Sequence, residues 1–384
     1  MSFLFSRLLL SIILLFSSSI YLSGCSQNSA NAPSPVPADM LSRNLRNNFP
    51  LANPKIIALL VPLQGQLGPI GQAIKQGFLT AAQENGSNAQ IIIIDTTKEP
   101  TIQAAYNKAL AQKAQFVVGP LLKPQVQVLA GLELSTPVLA LNYLNSDIST
   151  PAELYQFGLS PLDEAQELTT KAWQSGRRSA LIMTSSWGSQ IAQTFADEWK
   201  NLGGHVVERL TLSQNSSALT GQIRRFLQFK PPHEIRTDFD VIFLASDPKT
   251  ARQVKPLLKF YFAGDIPVYA TASIYSGRPN SRLDNDLNGI IFCSTPWSLG
   301  RGAGAPNRLL YEKLQAANSL EFFRHYRSYY ALGVDALHIA QQLSSLANSQ
   351  ILAGATGQLS LKQHRIVRQM PCAQFRRGHI TLIN

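Results

Sequence analysis

Short apolar runs alternate with longer amphipathic segments along most of this chain, and this alternation constrains the fold more than any other feature. Residues 56–61 (IIALLV) contain no polar side chain, which is typical of a strand buried on both faces. A helix-like segment over residues 70–85 follows, and the same pair of patterns recurs up to residues 138–140. Strands that alternate with helices of about 10 to 15 residues predict βαβ units and a parallel sheet. The predicted fold class is therefore α/β.

The alternation starts again after residue 160 and predicts a second doubly wound lobe. Its strands are predicted at residues 180–183, 205–210, 241–245 and 268–270. Two such lobes leave a cleft between them, at the carboxyl ends of their strands. The last part of the chain departs from this rhythm. After a strand at residues 289–293 come two predicted helices, and residues 359–383 then predict a β-hairpin or meander that packs onto an existing lobe.

The first 24 residues are predicted to be a signal peptide. Arg7 precedes a mostly apolar run, residues 8–21, that is too short to cross a bilayer as a helix. The sequence LSGC at residues 22–25 resembles a bacterial lipobox, which implies that Cys25 is lipidated and becomes the mature N-terminus. The alternative is a plain secretory signal that contains a cysteine. Ser26 after the cysteine favours the outer membrane, so the predicted location is its periplasmic face.

Residues 25–54 are predicted to form a tether between the lipidated cysteine and the globular part. This segment is rich in Ser, Asn, Ala and Pro, a composition typical of a solvated and partly extended linker. A tether of about 29 residues reaches on the order of 95 Å when fully extended. As a coil it spans about 30 Å.

The chain is basic, with 34 Lys and Arg against 23 Asp and Glu and a formal net charge of +11. Basic pairs at residues 177–178, 224–225 and 376–377 are scattered, without a stripe or interleaved aromatic residues. Nucleic-acid binding is therefore not expected. In the periplasm the expected counter-surface is anionic lipid, an acidic wall polymer or an acidic patch on a partner protein.

The sequence contains no recognisable catalytic pattern. It has no Gly-rich P-loop with lysine, no His pair at metal-binding spacing and no assignable Ser, His and Asp set. The protein is therefore predicted not to be an enzyme and to carry no cofactor or metal. Besides Cys25, the chain has Cys293 and Cys372. In an oxidising compartment these two cysteines either form a disulfide or stay as buried thiols, and both alternatives are open.

Ten residues at or just beyond predicted strand ends are candidates for lining the interlobe cleft, where they would suit a sugar or peptide from the cell wall. They are Gln64, Gln66, Gly68, Asn142, Tyr143, Ser185, Trp187, Thr271, Tyr275 and Trp297. In the first loop, glycines could let a ligand approach backbone N–H groups at a helix start. The competing interpretation is a simple turn at this loop, and hinge or core packing for the other residues. Asp335 lies on an apolar helix face and is expected to satisfy a neighbouring polar group.

The order of elements resembles the type I periplasmic-binding-protein fold of branched-chain amino-acid receptors. The resemblance implies a bilobed molecule with three chain crossings between the lobes, near residues 158–161, 274–277 and 351–354. The implied lobes are residues 55–159 plus 276–349 and residues 160–275 plus 350–384. Where amino-acid receptors offer hydroxyls to a ligand carboxylate, this chain has Leu121 and Leu122, which argues against an amino-acid ligand.

A set of short motifs narrows the resemblance to one family. They are QFGLSP at 156–161, DVIFLA at 240–245, PVYAT at 267–271, IYSG at 274–277, LNGI at 287–290, TPW at 295–297 and GATGQLS at 354–360. In this order they are similar to the C-terminal domain of the LppC/LpoA family of outer-membrane lipoproteins, over about residues 55–384. Enterobacterial family members carry a large helical-repeat domain before this domain, where only the tether is expected here.

The family resemblance implies a regulator of peptidoglycan synthesis that binds and activates a class A penicillin-binding protein. The alternative belongs to another functional class. It is a lipid-anchored periplasmic solute receptor that closes on a small ligand, an amino acid or a wall fragment, in the interlobe cleft.

Overall fold

The computed structural model describes residues 53–84, 86–145, 148–300 and 305–383. The predicted signal peptide, Cys25 and the tether up to residue 52 lie outside the described residues.

The first lobe is built on an eight-stranded sheet with the strand order β11-β12-β13-β5-β4-β3-β1-β2. Its strands are β1 (Ile56–Val61), β2 (Gln90–Asp95), β3 (Phe116–Val118), β4 (Val138–Ala140), β5 (Leu154–Gln156), β11 (Leu352–Ala353), β12 (Gln358–Lys362) and β13 (Arg365–Gln369). Strands β1 to β5 are parallel to one another. The last three strands extend the sheet beyond β5, with β12 antiparallel to both of its neighbours.

The second lobe is built on a seven-stranded sheet with the strand order β15-β14-β10-β9-β8-β6-β7. Its strands are β6 (Ser179–Thr184), β7 (His205–Thr211), β8 (Val241–Ala245), β9 (Val268–Ala270), β10 (Ile290–Cys293), β14 (Cys372–Arg376) and β15 (His379–Ile383). The first five are parallel, and a final antiparallel hairpin adds β14 and β15 at one edge. The predicted α/β fold class, with two doubly wound lobes, is confirmed.

Helices cover both faces of each sheet. They are α1 (Gly68–Glu84), α2 (Ile102–Ala111), α3 (Lys123–Ala130), α4 (Pro161–Gln174), α5 (Ser189–Asn201), α6 (Ser216–Phe226), α7 (Pro248–Phe260), α8 (Ser281–Asp284), α9 (Ala305–Ala317) and α10 (Leu320–Ala347). Side chains of a strand alternate between its two faces. In β1, Ile57 and Leu59 therefore pack with α1 and α10, whereas Ala58 and Leu60 pack with α2 and α3.

Helices α1 and α10 cross at backbone contact in the first lobe. A Cβ atom on Gly333 would lie 2.1 Å from the carbonyl oxygen of Ile74, and one on Gly77 would lie 2.1 Å from that of Tyr330. Only glycine permits an approach this close, because it has no Cβ atom. These two positions therefore fix how the long helix α10 rests on the first lobe.

The predicted lobe boundaries are wrong in two places. The sequence predicts strand β10 in the first lobe, but it pairs with β9 in the second sheet, because the strand-helix rhythm continues through the short helix α8. The sequence predicts strands β11 to β13 in the second lobe, but they extend the first sheet. Of the three predicted crossings, the one at residues 158–161 is confirmed. The other two lie between β10 and α9, and at Met370 and Pro371 between β13 and β14.

Cys293 and Cys372 form a disulfide, with their Cα atoms 3.9 Å apart. They are directly opposed in the antiparallel pair of β10 and β14. Of the two alternatives left open by the sequence, the disulfide is the one observed. It fastens β14, the first strand after the last crossing, to β10 in the body of the second sheet.

Candidate functional site

The ten predicted cleft residues all follow the carboxyl ends of strands, on the side of each sheet where the chain crosses between the lobes. Three of them follow β1. Gln64 and Gln66 are exposed, whereas Gly68 is buried at the start of α1 and donates its N–H to the carbonyl oxygen of Gly65 at 3.1 Å. This hydrogen bond closes a local turn, which agrees with the alternative that the loop is a simple turn.

The two predicted residues after β4 take part in contacts within the protein. Asn142 donates its side-chain amide to the carbonyl oxygen of Leu121 at 2.9 Å and accepts from the N–H of Tyr143. The Tyr143 hydroxyl lies 2.9 Å from Asp163 Oδ2 and 3.1 Å from the carbonyl oxygen of Gly158. Burial, together with the charge of Asp163, raises the pKa of Tyr143 to about 12.

The predicted residues of the second lobe differ in exposure. Trp187 is 49% exposed, whereas Ser185 and Thr271 are buried. The Thr271 hydroxyl lies 2.7 Å from that of Ser273. Tyr275 packs against aromatic side chains of β10 and β14.

Trp297 is fully buried and meets Tyr311 edge to face at 5.4 Å between ring centroids. This packing agrees with the competing interpretation for Trp297. That Trp297 lines a ligand site remains a prediction, and these contacts do not support it.

The structure shows a charged cluster at the junction of the lobes that the sequence does not predict. Asp163, in the first turn of α4, accepts from Arg365 Nη2 at 2.6 Å and lies 3.6 Å from Arg368 Nη1. Arg368 also donates to the carbonyl oxygen of Gly158 at 3.0 Å, at the first crossing. The guanidinium of Arg365 lies 3.8 Å above the Tyr143 ring. The cluster therefore ties β13 of the first lobe to the first helix of the second.

Only part of this cluster had a signal in the sequence. Tyr143 is one of the ten predicted cleft residues, and Asp163 lies in the first turn of α4, where a carboxylate is favourable to the helix dipole. The two arginines are about 200 positions away from Asp163, so no local pattern relates them to it. A long-range ion pair of this kind can be recognised only when the fold is known.

Glu164 forms a second contact at the same helix start. Its carboxylate accepts from the N–H of Ala272, just beyond β9, at 2.8 Å. Burial raises the pKa of Glu164 to about 7, and the nearby charge of Asp163 also raises it. The protonation state of this side chain therefore changes near neutral pH.

Replacing Glu164 by glutamine is expected to flatten the pH dependence of stability between pH 5 and pH 8. The folded state keeps a proton up to pH about 7, whereas the unfolded chain releases it near the ordinary pKa of 4.5. Stability therefore falls as the pH rises through this window. The full shift corresponds to about 3 kcal/mol, and partial exposure reduces this to about 1 to 2 kcal/mol.

Urea unfolding at four pH values would measure this effect. Glu234→Gln, an exposed carboxylate on the second lobe, is the matched control and should keep the wild-type slope. An unchanged slope in Glu164→Gln would contradict the assignment.

Two adjoining cavities lie between α4 and the β12–β13 hairpin, with volumes of about 490 and 510 Å³. We call them together the hinge groove. The side chains shared by both cavities are Glu167, Thr170, Lys362, Val367 and Arg368. None of the ten predicted cleft residues lines either cavity. The lining mixes polar and apolar side chains and carries both signs of charge, so it suits a ligand that has both hydrogen-bonding groups and apolar parts.

Within the described residues, no group of three or more His, Cys, Asp or Glu side chains is placed to hold a metal ion. In the same residues, no helix is long and apolar enough to span a membrane.

The two sheets, their helix layers and the three chain crossings define a bilobed protein of the type I periplasmic-binding-protein class. The chain belongs to the family described as "LppC putative lipoprotein", whose model matches residues 28–378. A relative from Yersinia pseudotuberculosis, named penicillin-binding protein activator LpoA, is 27% identical over 418 residues. The match covers 87% of this chain and 62% of the relative, so the chain spans less than two thirds of that protein's length.

Two solved structures share this architecture. The C-domain of LpoA (YraM) from Haemophilus influenzae, a regulator of PBP1A, is 24% identical with a TM-score of 0.71, and the match covers 86% of this chain and 100% of that one. A "putative branched-chain amino acid ABC transporter" from Chromobacterium violaceum is 25% identical with a TM-score of 0.65, covering 83% of this chain and 99% of that one. The same fold therefore occurs in a regulator and in a protein of solute transport.

Proposed function

We propose that this chain regulates peptidoglycan synthesis by binding and activating a class A penicillin-binding protein. The observation that carries the proposal is the family match, which extends over both lobes. Relatives named as penicillin-binding protein activators, and the shared fold with the C-domain of a PBP1A regulator, support it. Since those relatives are named as activators and regulators, the proposal assigns no catalysis to this chain.

The proposal includes the location of the protein. Cys25 carries the lipid, residues 25–54 act as the tether, and the globular part works at the periplasmic face of the outer membrane. The family description as a lipoprotein supports this arrangement. A regulator that acts by contact needs such an anchor, because the tether decides which surfaces the lobes can reach.

The proposed mechanism is a difference in affinity. A regulator that binds the active conformation of the synthase more tightly than the inactive one shifts the synthase toward activity. Couplings of this kind are typically about 1 to 3 kcal/mol, which corresponds to about 5-fold to 150-fold. The contacts of Tyr143, Asp163 and Arg365 hold the two lobes together at the hinge, which supports action through a preformed surface.

The proposal is tested with the lipidated, mature chain in detergent and the class A synthase of the same bacterium. The chain is expected to co-precipitate the synthase and to raise its rate of glycan polymerisation or cross-linking about fivefold or more. A monofunctional transpeptidase of the same cell serves as the control and should show neither effect. If the chain neither binds nor stimulates any class A synthase of its host, the proposal is wrong.

A second candidate function, a lipid-anchored solute receptor, is favoured by the hinge groove. Each of its two cavities, at about 490 and 510 Å³, lies within the range of about 300 to 1,000 Å³ that is usual for small-molecule sites. A ligand at 100 times its dissociation constant should add about 2.7 kcal/mol to the stability. Thermal unfolding with muramyl dipeptide and with branched-chain amino acids tests this, and an unchanged melting temperature with both argues against a receptor for these classes.

A further inference from the structure

The outer end of the second lobe carries an aromatic surface that is exposed among the residues that the structure describes. Phe260 is 69% exposed and Phe262 is 50% exposed. Phe262 stacks on Phe229 at 6.1 Å between ring centroids and meets His233 edge to face at 4.5 Å. We define the outer patch as these four aromatic rings together with the exposed Lys230 and Lys259.

Phe262 has a backbone conformation that is unfavourable for a residue with a bulky side chain. Phe262 is the second residue after the end of α7 and has a φ of +62°, in the left-handed region that favours glycine. The N–H of Ala263 donates to the carbonyl oxygen of Leu258 at 2.8 Å, which closes the helix end around this position. Glycine would serve the turn with less strain. A bulky aromatic residue is found there instead, with half of its side chain in solvent.

The surroundings of the outer patch are basic. Residues 224–236 and 255–265 contain six Lys and Arg but only two Asp and Glu. One of those two acids, Glu234, pairs with Lys230 at 3.2 Å. An apolar centre with a charged rim is the usual arrangement of a protein–protein interface, and a basic rim selects an acidic partner surface.

The topology places the outer patch far from the point where the tether joins the globular part. The carboxyl ends of the parallel strands β1 to β5 and β6 to β10 face the crossings, so the amino ends of these strands lie at the outer end of each lobe. The chain enters β1 at residue 56, at the outer end of the first lobe. The outer patch lies in the two segments that lead into β8 and β9, toward the outer end of the second lobe. This position favours a partner protein over the membrane that anchors the chain.

We propose that the outer patch is the docking surface of this protein for an acidic, partly apolar surface on its synthase partner. The inference rests on the proposed function, because it assigns that contact to one end of one lobe. Phe260 and Phe262 supply the buried centre of the contact, and the lysines steer the acidic partner toward it.

The test compares Phe262→Gly with the wild-type chain in its lipidated, full-length form. Binding to the synthase is expected to weaken at least about tenfold, which equals about 1.4 kcal/mol. The melting temperature should stay within about 2 °C of the wild type or rise, because glycine relieves the left-handed backbone. Phe260→Ser should weaken binding to a similar extent without changing the backbone.

Ser349→Gly is the matched control. Ser349 is the second residue after the end of α10 in the first lobe, has a φ of +64° in the same left-handed region, and carries no aromatic ring. This variant should keep both its stability and its affinity for the synthase. Loss of binding in Ser349→Gly as well would show that the effect is not specific to the outer patch and would overturn the proposal.

The outcomes separate this inference from the proposed function. If the wild type binds the synthase and both phenylalanine variants bind equally well, the outer patch is not the docking surface, while the proposed function stands. If the wild type does not bind, both are wrong. Two further results would assign the patch to another occupant. They are loss of binding to phosphatidylglycerol vesicles, or loss of a dimer in sedimentation, with synthase binding intact.

Discussion

Replacing Asp335 by alanine is expected to lower the free energy of unfolding by about 3 kcal/mol or more. Asp335 lies in α10 and is fully buried. It accepts from the N–H of Ala355 at 2.6 Å, and from the N–H and hydroxyl of Thr356 at 2.7 and 2.6 Å. Alanine would leave three buried donors without an acceptor, and each such group costs about 1 to 3 kcal/mol.

The effect should extend beyond the helix, since these contacts hold the turn between β11 and β12 against α10. The turn packs directly on this carboxylate, because a Cβ atom on Gly354 would lie 2.6 Å from Asp335 Oδ2. Urea unfolding followed by circular dichroism measures the change. Thr356→Val removes a single donor and should cost only about 1 kcal/mol. A loss below 1 kcal/mol in Asp335→Ala would contradict the role of this carboxylate.

Replacing Cys293 and Cys372 together by alanine is expected to lower the stability by about 2 to 4 kcal/mol. The disulfide closes a loop between residues 79 positions apart, and it restricts the unfolded chain accordingly. For a chain of this size the melting temperature should fall by about 5 °C. The hairpin of β14 and β15 should also lose protection against hydrogen exchange, because the disulfide joins it to β10.

Thermal unfolding with and without reductant is the measurement. Reductant should bring the wild type to the melting temperature of the double variant and should not change the variant itself. Equal melting temperatures for the oxidised wild type and the double variant would show that the bond contributes nothing to stability.

The pattern of the sequence predicted most of the two lobes, because each βα unit has its own local signal. Strand β1 is a continuous apolar run, and every parallel strand up to β9 is followed or preceded by a helical pattern. The role of Asp335 was also predictable, since a lone carboxylate on an apolar helix face needs donors, and the contacts with Ala355 and Thr356 confirm it.

The assignment of the last strands to a lobe could not be predicted in the same way. The hairpins β12–β13 and β14–β15 have the same alternating pattern, yet they extend different sheets. Only two residues, Met370 and Pro371, separate them. Which sheet edge accepts a hairpin depends on contacts such as that of Arg365 with Asp163, which are distant in sequence. The cleft residues show the same limit, because strand ends can be predicted but the neighbours of their side chains cannot.

The crossing at Met370 and Pro371 has a consequence for vectorial synthesis. A chain that emerges N-terminus first completes the first sheet only when β13 has appeared, at residue 369. The second sheet is complete only at residue 383. Domains usually fold one after another during synthesis. Here both lobes reach their full set of strands almost together, so the first lobe is not finished until the second is nearly complete as well.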